Sequence, residues 1–177
     1  KVGTIGYGPI GKKHEEMCYL LFKEKIEKIY LYDLRDIDTY NEKSYVCNSW
    51  EEVYEQSDIL ITCTTACKPY LNRTPRKGKL TMNVSLRDFD INYINVNDTT
   101  MLIDDWCEIN REKTNIEQLF QSGKIQENDC IDIYDYLYCE KINYEKALFF
   151  NPMGLAIFDV VVGKYMYEKA KKENGQL

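Results

Sequence analysis

The sequence predicts an α/β fold, in which a doubly wound, mostly parallel β-sheet carries helices on both faces. Short apolar runs alternate along the chain with amphipathic stretches of helical period. The first run, Val2–Ile5, leads directly into a glycine-rich turn and then into a helix. Strands that alternate with helices form parallel sheets, because each helix returns the chain to the edge at which the next strand begins.

The first half of the chain follows this alternation closely. Strands are predicted at 2–5, 28–32, 45–47, 58–63 and 80–84. A helix at about 10–25 should connect the first two strands. Ser49 and Glu52 have the spacing of a capping box, so a second helix should begin at Ser49. The basic stretch 68–79 contains proline and glycine and is expected to be a solvated loop.

The second half is predicted to continue the pattern. We expect short helices at 90–96 and 130–139 and strands at 100–103 and 146–150. Asp105 and Glu108 repeat the capping spacing and should begin a helix that runs to about Gln121. A long helix at 153–172 should pack on the core through apolar residues such as Tyr165 and Met166. Because no repeat or linker interrupts the chain, residues 1–177 are expected to form one domain.

Composition and charge exclude several classes of protein. The formal net charge of −6 argues against nucleic acid or an anionic membrane surface as a partner. No apolar run approaches the roughly 18 residues of a membrane-spanning helix. The seven cysteines form no CxxC pair and mostly lie in apolar runs, which suits reduced core residues of a cytoplasmic protein. With His14 as the only histidine, no metal site is expected.

The opening turn, Gly6-Tyr7-Gly8-Pro9-Ile10-Gly11, has the spacing of a dinucleotide-binding motif. It follows a strand and opens a helix, which is the context that the motif requires. Gly6 permits the tight turn, Gly8 lets the backbone approach a pyrophosphate, and Gly11 lets helix and strand pack closely. Pro9 and Ile10 begin the helix, whose unpaired N–H groups and partial positive charge attract phosphate. The turn therefore predicts a Rossmann-type cofactor domain.

Asp33 extends this prediction to the identity of the cofactor. It ends the second predicted strand, 22 residues after Gly11, where a carboxylate can accept hydrogen bonds from the ribose hydroxyls. The same charge would repel a 2′-phosphate, so NAD is favoured over NADP. Arg35 weakens that preference without reversing it. A glycine-rich turn with an incidental acidic neighbour is the alternative.

Four stretches further along the chain carry a resemblance to a known family. They begin at Ile61 (ITCTTA), Met82 (MNVSLRD), Ile103 (IDDW) and Asn151 (NPMGLAIFD). In this order they resemble the ornithine cyclodeaminase/mu-crystallin family over nearly the whole chain. Residues 85–88, 104–106 and 111–114 look most like one branch of that family. This branch oxidises N-(2-amino-2-carboxyethyl)-L-glutamate to 2,3-diaminopropionate and 2-oxoglutarate, in siderophore and antibiotic pathways.

The resemblance implies that a part of the subunit lies outside this sequence. Family subunits are about twice as long, and their first half forms a substrate-binding and dimerisation domain. The chain thus looks like the cofactor domain of a larger, homodimeric enzyme acting on a small amino-acid substrate. We expect the isolated domain to bind NAD without turnover, because the residues that would hold the substrate are missing.

The resemblance also implies the site residues. Asp88 matches the catalytic acid of the family when Asn83 is matched to the asparagine of its INAVGGD-like segment, and a carboxylate there could move a proton. A loop carboxylate or a helix N-cap is the alternative for Asp88. The remaining candidates for contact with the cofactor follow the predicted strands, where ligands bind in open α/β sheets. They are Cys63, Thr64, Thr65, Ser85, Asn151, Met153 and Gly154.

Three alternatives to the glutamate-adduct dehydrogenase remain open. An ornithine cyclodeaminase would use NAD catalytically, but the Pro-Gly-Lys run that follows the catalytic acid in the family is absent here. Another imine or amino-acid dehydrogenase of the family is the second. A non-enzymatic cofactor-binding protein, as the crystallins of the family suggest, is the third.

Overall fold

The computed structural model describes residues 1–39, 41–138 and 142–173 and contains one sheet of eight parallel strands. The strands are β1 (Val2–Ile5), β2 (Ile29–Tyr32), β3 (Ser44–Val46), β4 (Ile59–Thr62), β5 (Leu80–Asn83), β6 (Thr99–Ile103), β7 (Cys130–Ile131) and β8 (Ala147–Asn151). The helices are α1 (Pro9–Phe22), α2 (Trp50–Gln56), α3 (Trp106–Ile109), α4 (Asn115–Gln121), α5 (Ile133–Tyr138) and α6 (Ala156–Glu173). Within the described ranges, no helix is both long and apolar enough to cross a membrane.

The strand order, β3-β2-β1-β4-β5-β8-β6-β7, reverses direction at β1. From β1 the chain first builds outward through β2 and β3, and it then returns to add β4 on the other side of β1. Such a reversal opens a crevice at the carboxyl ends of the two strands that flank it, which is where ligands bind in doubly wound sheets. The predicted Rossmann-type α/β fold is confirmed.

The core lies on both faces of the sheet, as expected for parallel strands that read as continuous apolar runs. In β4, Leu60 packs into the larger cluster, whereas its neighbour Ile61 packs into the smaller one on the opposite face. Phe89 and Phe149 meet edge to face in the larger cluster, with ring centroids 5.1 Å apart. Helices cover both faces of the sheet. The packed strands therefore hold the residues at their carboxyl ends in fixed positions.

The predicted helix at 90–96 does not form. Asp90 instead begins a turn, in which its Oδ1 accepts from the backbone N–H of Asn92 at 2.9 Å. Asn95 then caps a 3₁₀ turn at Val96–Asp98. Aspartate and asparagine offer the backbone such local hydrogen bonds, which compete with helix formation.

The single helix predicted from Asp105 to Gln121 is two helices. Asp105 caps α3 as expected, with its Oδ1 accepting from the Glu108 N–H at 2.9 Å. Lys113 interrupts the predicted helix because its φ of 53° lies outside the right-handed helical region, and Thr114 then caps α4. The Thr114 hydroxyl is fully buried and also donates to the Ile109 carbonyl at 2.7 Å, which joins the two helices.

Two further boundaries differ from the prediction. Residues 130–139 were expected to be helical, but β7 pairs with β6 first and, within the described residues, α5 covers Ile133–Tyr138. The last helix begins at Ala156 rather than at residue 153, because Gly154 adopts a φ of +92°. None of the residues of α6 is buried, so the expected packing of Tyr165 and Met166 on the core is wrong.

The cysteines are more exposed than predicted. Cys47 is buried, and three others, Cys18, Cys63 and Cys130, are partly buried. Cys67 and Cys107 lie at the surface, so the prediction that they belong to the core is wrong. Cys139 falls outside the described residues.

Candidate functional site

The glycine-rich turn sits at the carboxyl end of β1, where each glycine has a distinct structural role. Gly6 has a φ of +90°, and a Cβ there would collide with the Cys63 carbonyl. A Cβ on Gly11 would collide with the Gly6 carbonyl oxygen. At Gly8, in contrast, a Cβ would contact only the Arg35 guanidinium at 3.7 Å. Packing therefore requires Gly6 and Gly11, whereas Gly8 leaves an open backbone surface of the kind that a pyrophosphate needs.

Helix α1 presents its amino end to this surface. Gly8 is the N-cap and Pro9 the first helical residue, so no side chain caps the first turn. The helix is also without acidic residues in that turn. Its leading N–H groups and the positive end of its dipole thus stay available for an anion. The residues present fit the phosphates of a dinucleotide.

Asp33 lies directly beside the turn, because β1 and β2 pair in register with Ile5 opposite Tyr32. Its Oδ2 accepts from the Tyr7 backbone N–H at 2.6 Å. Arg35 donates to the same carboxylate from its backbone and its guanidinium. These hydrogen bonds, those of the Arg35 side chain foremost, lower the pKa of Asp33 to about 2. The carboxylate is therefore ionised at neutral pH and fixed at the crevice.

A second group of predicted residues meets at the carboxyl ends of β4 and β5. The Thr64 N–H donates to Ser85 Oγ at 2.7 Å, and the Thr64 hydroxyl lies 2.9 Å from both oxygens of Asp88. Cys63 lies between this group and the glycine turn, because its carbonyl faces Gly6. The structure thus brings Cys63, Thr64, Ser85 and Asp88 together, whereas Thr65 is exposed.

Asp88 is almost completely buried, with 1% of its surface exposed. It caps no helix within the described residues, so the alternative of an N-cap is not supported. Burial raises the pKa of its carboxyl, and hydrogen bonds from Ser85, Thr64 and Tyr70 oppose that shift. A buried carboxyl held by hydroxyl groups is the kind of group whose proton affinity suits acid–base chemistry.

Tyr70 completes this group, and the sequence patterns did not reveal it. Its hydroxyl lies 3.2 Å from Asp88 Oδ2, and its backbone N–H donates to the Asp88 carbonyl at 3.0 Å. The loop after β4 thereby folds back onto the loop after β5, also through a bridge between Leu71 and Phe89. No local pattern marks Tyr70, since it lies in a loop and its partner is 18 residues away.

A buried amide network links β5, β8 and α4. The Asn83 side-chain amide donates to Asn115 Oδ1 at 2.8 Å and to Asn151 Oδ1 at 3.0 Å. Thr62 donates to Asn83 Oδ1 at 2.9 Å. Asn151 Nδ2 is buried and has no partner in the described part of the chain. Buried amide groups are normally hydrogen-bonded, so this donor is an exception within the network.

Asp104 holds the loop that contains Met153 and Gly154. Its carboxylate accepts from the backbone N–H groups of both residues, at 2.8 Å for Met153. The side chain of Met153 also packs against the core. The loop predicted to contact the cofactor is therefore tied to the end of β6, a role for Asp104 that its sequence context did not indicate.

Within the part of the chain that the structure describes, no hydrogen bond joins His14 or the basic side chains of the loop 68–79 to the Asp88 group. His14 is partly buried on α1, where desolvation lowers its pKa. Residues 68–79 form a loop as predicted, and Arg76 in it pairs with Glu55 at 2.5 Å. Among the described residues, no cluster of three or more histidine, cysteine or acidic side chains could hold a metal ion.

Curated relatives share the sequence over most of this chain. N-((2S)-2-amino-2-carboxyethyl)-L-glutamate dehydrogenase of Staphylococcus aureus is 27% identical over 186 residues, which cover 96% of this chain and 55% of the relative. Delta(1)-pyrroline-2-carboxylate reductase of Bacillus cereus is 25% identical and covers 85% of this chain and 49% of the reductase. The chain therefore spans about half the length of these relatives.

Solved structures share the fold. An archaeal alanine dehydrogenase dimer with bound NAD superimposes with a TM-score of 0.75 at 21% identity, over 98% of this chain and 58% of the dehydrogenase. The match therefore supports the same fold over 98% of this chain. The family profile matches residues 1–174, and the chain belongs to the ornithine cyclodeaminase/mu-crystallin family.

Proposed function

We propose that this chain is the NAD-binding domain of a dehydrogenase that acts on the C–N bond of an amino-acid adduct. The observation that carries the proposal is the position of the glycine turn and Asp33 at the reversal point of the sheet, beside the buried Asp88. The NAD held by the archaeal alanine dehydrogenase of the same fold supports it. Activity toward substrate is proposed for the longer protein that contains this domain.

Residues of this chain would contact the cofactor at two ends of the crevice. Gly8 and the N–H groups at the start of α1 receive the pyrophosphate, and Asp33 receives the adenosine ribose. Cys63, Thr64, Thr65 and Ser85 follow β4 and β5 and line the other end. Asn151, Met153 and Gly154 follow β8 at the same edge of the sheet.

Asp88 is proposed to move the proton. The NAD held by these residues would supply a hydride acceptor for oxidation of a secondary amine to an imine, which water would hydrolyse. Asp88 would take the proton from the attacking water or from the substrate nitrogen. Because Asp88 is buried, the Thr64 and Tyr70 hydroxyls, which donate to its oxygens, would relay that proton from the crevice to the Asp88 carboxylate.

The substrate that we propose is N-(2-amino-2-carboxyethyl)-L-glutamate, which would make the protein part of 2,3-diaminopropionate and siderophore biosynthesis. The relative from S. aureus carries this activity in its name and covers 96% of the chain. A reductase of cyclic imines is the second candidate, because the relative from B. cereus acts on pyrroline-2-carboxylate by its name. Ornithine cyclodeaminase and a crystallin-like binding protein remain alternatives.

We also propose how the subunits of the longer protein assemble and in which compartment it acts. A preceding domain would hold the substrate carboxylates, and the whole subunit would form a homodimer, as the archaeal alanine dehydrogenase does. The protein would act in the cytoplasm, without nucleic acid or membrane as a partner.

The first test is a titration of this chain with NADH, followed by the fluorescence of Trp50 and Trp106. Saturable binding is expected, and it should be lost in Gly8→Val. The φ of Gly8 is −78° and only Arg35 faces its Cβ position, so the variant should fold while its side chain fills the phosphate surface. Gly163→Val is the matched control, because Gly163 lies in α6 with open space around it. Equal NADH binding by both variants would contradict the proposal.

The second test uses the full-length protein with the glutamate adduct and NAD. We expect NADH to appear together with 2-oxoglutarate, and we expect Asp88→Asn to reduce kcat by at least about a hundredfold. Release of ammonia from ornithine without net NADH would instead identify a cyclodeaminase. Tight NADH binding with no turnover of any amino acid would favour the crystallin-like alternative.

A further inference from the structure

Arg35 donates hydrogen bonds to the Asp33 carboxylate, which the adenosine ribose would need as an acceptor. The inference drawn from this contact rests on the proposed function. Asp33 Oδ1 accepts from the Arg35 backbone N–H at 3.0 Å and from Arg35 Nε at 3.1 Å. Asp33 Oδ2 accepts from the Tyr7 N–H at 2.6 Å and from Arg35 Nη2 at 3.2 Å. A carboxylate offers about four acceptor positions, so all of them are in use.

The four donors differ in how firmly they are held. Two are backbone N–H groups, of Tyr7 and Arg35, and they fix the carboxylate beside the glycine turn. The other two belong to one guanidinium, whose side chain is 74% exposed, compared with 12% for Asp33. Exposed ion pairs contribute little to stability. The guanidinium can therefore leave, which would free two acceptor positions for the two hydroxyls of a ribose.

The same guanidinium lies against the phosphate surface of the turn. Arg35 Nη2 is the atom that a Cβ on Gly8 would meet, at 3.7 Å. A guanidinium has five N–H donors, and Arg35 uses two of them on Asp33, so three are left. A ribose 2′-phosphate would meet these donors and a carboxylate whose charge Arg35 already neutralises. Repulsion by Asp33, on which a strict preference for NAD depends, is thereby weakened.

We propose that Arg35 is a specificity-determining residue that opens the site to both nicotinamide cofactors. With Arg35 on Asp33, the pair receives the 2′-phosphate of NADPH. With Arg35 turned away, Asp33 receives the ribose hydroxyls of NADH. The chain should therefore bind NADPH with a dissociation constant within about tenfold of that for NADH.

The test measures dissociation constants of both cofactors for this chain and three variants by the same fluorescence titration. Arg35→Ala should weaken NADPH binding by at least about tenfold and leave NADH binding unchanged or tighter, because it removes the phosphate partner and frees Asp33. Asp33→Asn should weaken NADH binding more than NADPH binding. Arg76→Ala is the matched control, since Arg76 also pairs with a carboxylate but lies before β5, at the opposite edge of the sheet.

The outcomes separate this inference from the proposed function. Saturable NADH binding with NADPH more than about tenfold weaker in the unmodified chain would overturn the role of Arg35 alone. An Arg35→Ala variant with an unchanged ratio of the two constants would do the same. Absence of binding of either cofactor by the chain and by the full-length protein would overturn both. Thermal unfolding of each variant verifies that binding differences do not reflect unfolding.

Discussion

At the scale of single residues, the side chain with the largest conflict between burial and charge is that of Asp88. Burial raises the pKa of its carboxyl, and hydrogen bonds from four neighbouring hydroxyl groups oppose that shift without reversing it. The raised pKa means that the folded state favours the protonated form more than the unfolded state does. Stability from this group is therefore fully present below the ordinary pKa of aspartate and is lost as the pH rises through the raised pKa.

Replacing Asp88 by asparagine should stabilise the domain at neutral pH. Asparagine keeps the shape and a carbonyl acceptor but removes the buried charge. We expect a gain in the free energy of unfolding of about 1 kcal/mol at pH 7, which disappears at about pH 3, where both forms are neutral. Thermal unfolding between these pH values checks the expectation. Asp159→Asn, at an exposed position of α6, should change neither value, and destabilisation by Asp88→Asn at pH 7 would contradict the argument.

Tyr70→Phe should shift the titration of Asp88 without removing it. The Tyr70 hydroxyl stabilises the ionised carboxylate, so its loss should raise the pKa of Asp88 further. In the full-length enzyme, the limb of the pH–rate profile that belongs to Asp88 should move to higher pH, with kcat at the plateau reduced by less than about tenfold. Tyr93→Phe, at an exposed position, serves as the control. An unchanged profile would mean that Tyr70 supports only the loop.

At the scale of elements, caps decide where helices begin and how they are joined. The Ser49 hydroxyl caps α2 as predicted, accepting from the Glu52 N–H at 3.3 Å. The Glu52 carboxylate reaches the N–H of Asn48 rather than that of Ser49, so the capping box is displaced by one residue. Thr114 caps α4 from a fully buried position and thereby divides the predicted long helix.

Thr114→Ala should destabilise the domain more than Ser49→Ala. The Thr114 hydroxyl accepts from the Glu117 N–H at 3.1 Å and donates to the Ile109 carbonyl, so its loss removes the partner of one buried and one partly buried group. We expect a loss of about 2 kcal/mol, compared with about 1 kcal/mol for the partly exposed Ser49. Urea unfolding measures both. Thr114→Ser, which keeps the hydroxyl, should recover most of the loss, and equal effects of the two alanine variants would contradict this expectation.

At the scale of the whole molecule, α6 stands out from the packed core, because neither it nor the shorter α5 contains a buried residue. Its large apolar side chains are all exposed by about half or more: Ile157, Phe158, Val160, Val161, Val162, Tyr165, Met166 and Tyr167. Contiguous apolar surface of this kind is rare on monomeric proteins and promotes association. Residues 152–155 connect β8 to α6, and two of them, Met153 and Gly154, donate to the Asp104 carboxylate.

The isolated chain should therefore self-associate through α6. We expect its apparent mass in sedimentation equilibrium to rise with protein concentration in the micromolar range. The double variant Val161→Glu with Tyr165→Glu should remain monomeric because it interrupts the apolar surface. Leu34→Glu is the control, since Leu34 is 92% exposed but lies outside α6, in the loop after β2. Monomeric behaviour of the unmodified chain at all concentrations would refute the expectation.

The sequence by itself determined the features that depend on neighbours along the chain. The strand, the glycine turn and α1 are contiguous, so their periodicity and spacing placed Gly6, Gly8 and Gly11 correctly, and Asp33 followed from the same unit. Caps at Ser49 and Asp105 were likewise predictable, because a cap needs only the next three residues.

Only the tertiary structure decided the features that depend on strand order. In a parallel sheet, adjacent strand ends belong to segments far apart in sequence, so no local pattern could join Asn83 to Asn151 or Tyr70 to Asp88. The exposed α6 has the same origin, because apolar periodicity marks a face without specifying what covers it. The physical reason is that local hydrogen bonds are encoded within a few residues, whereas burial is a property of the whole packed molecule.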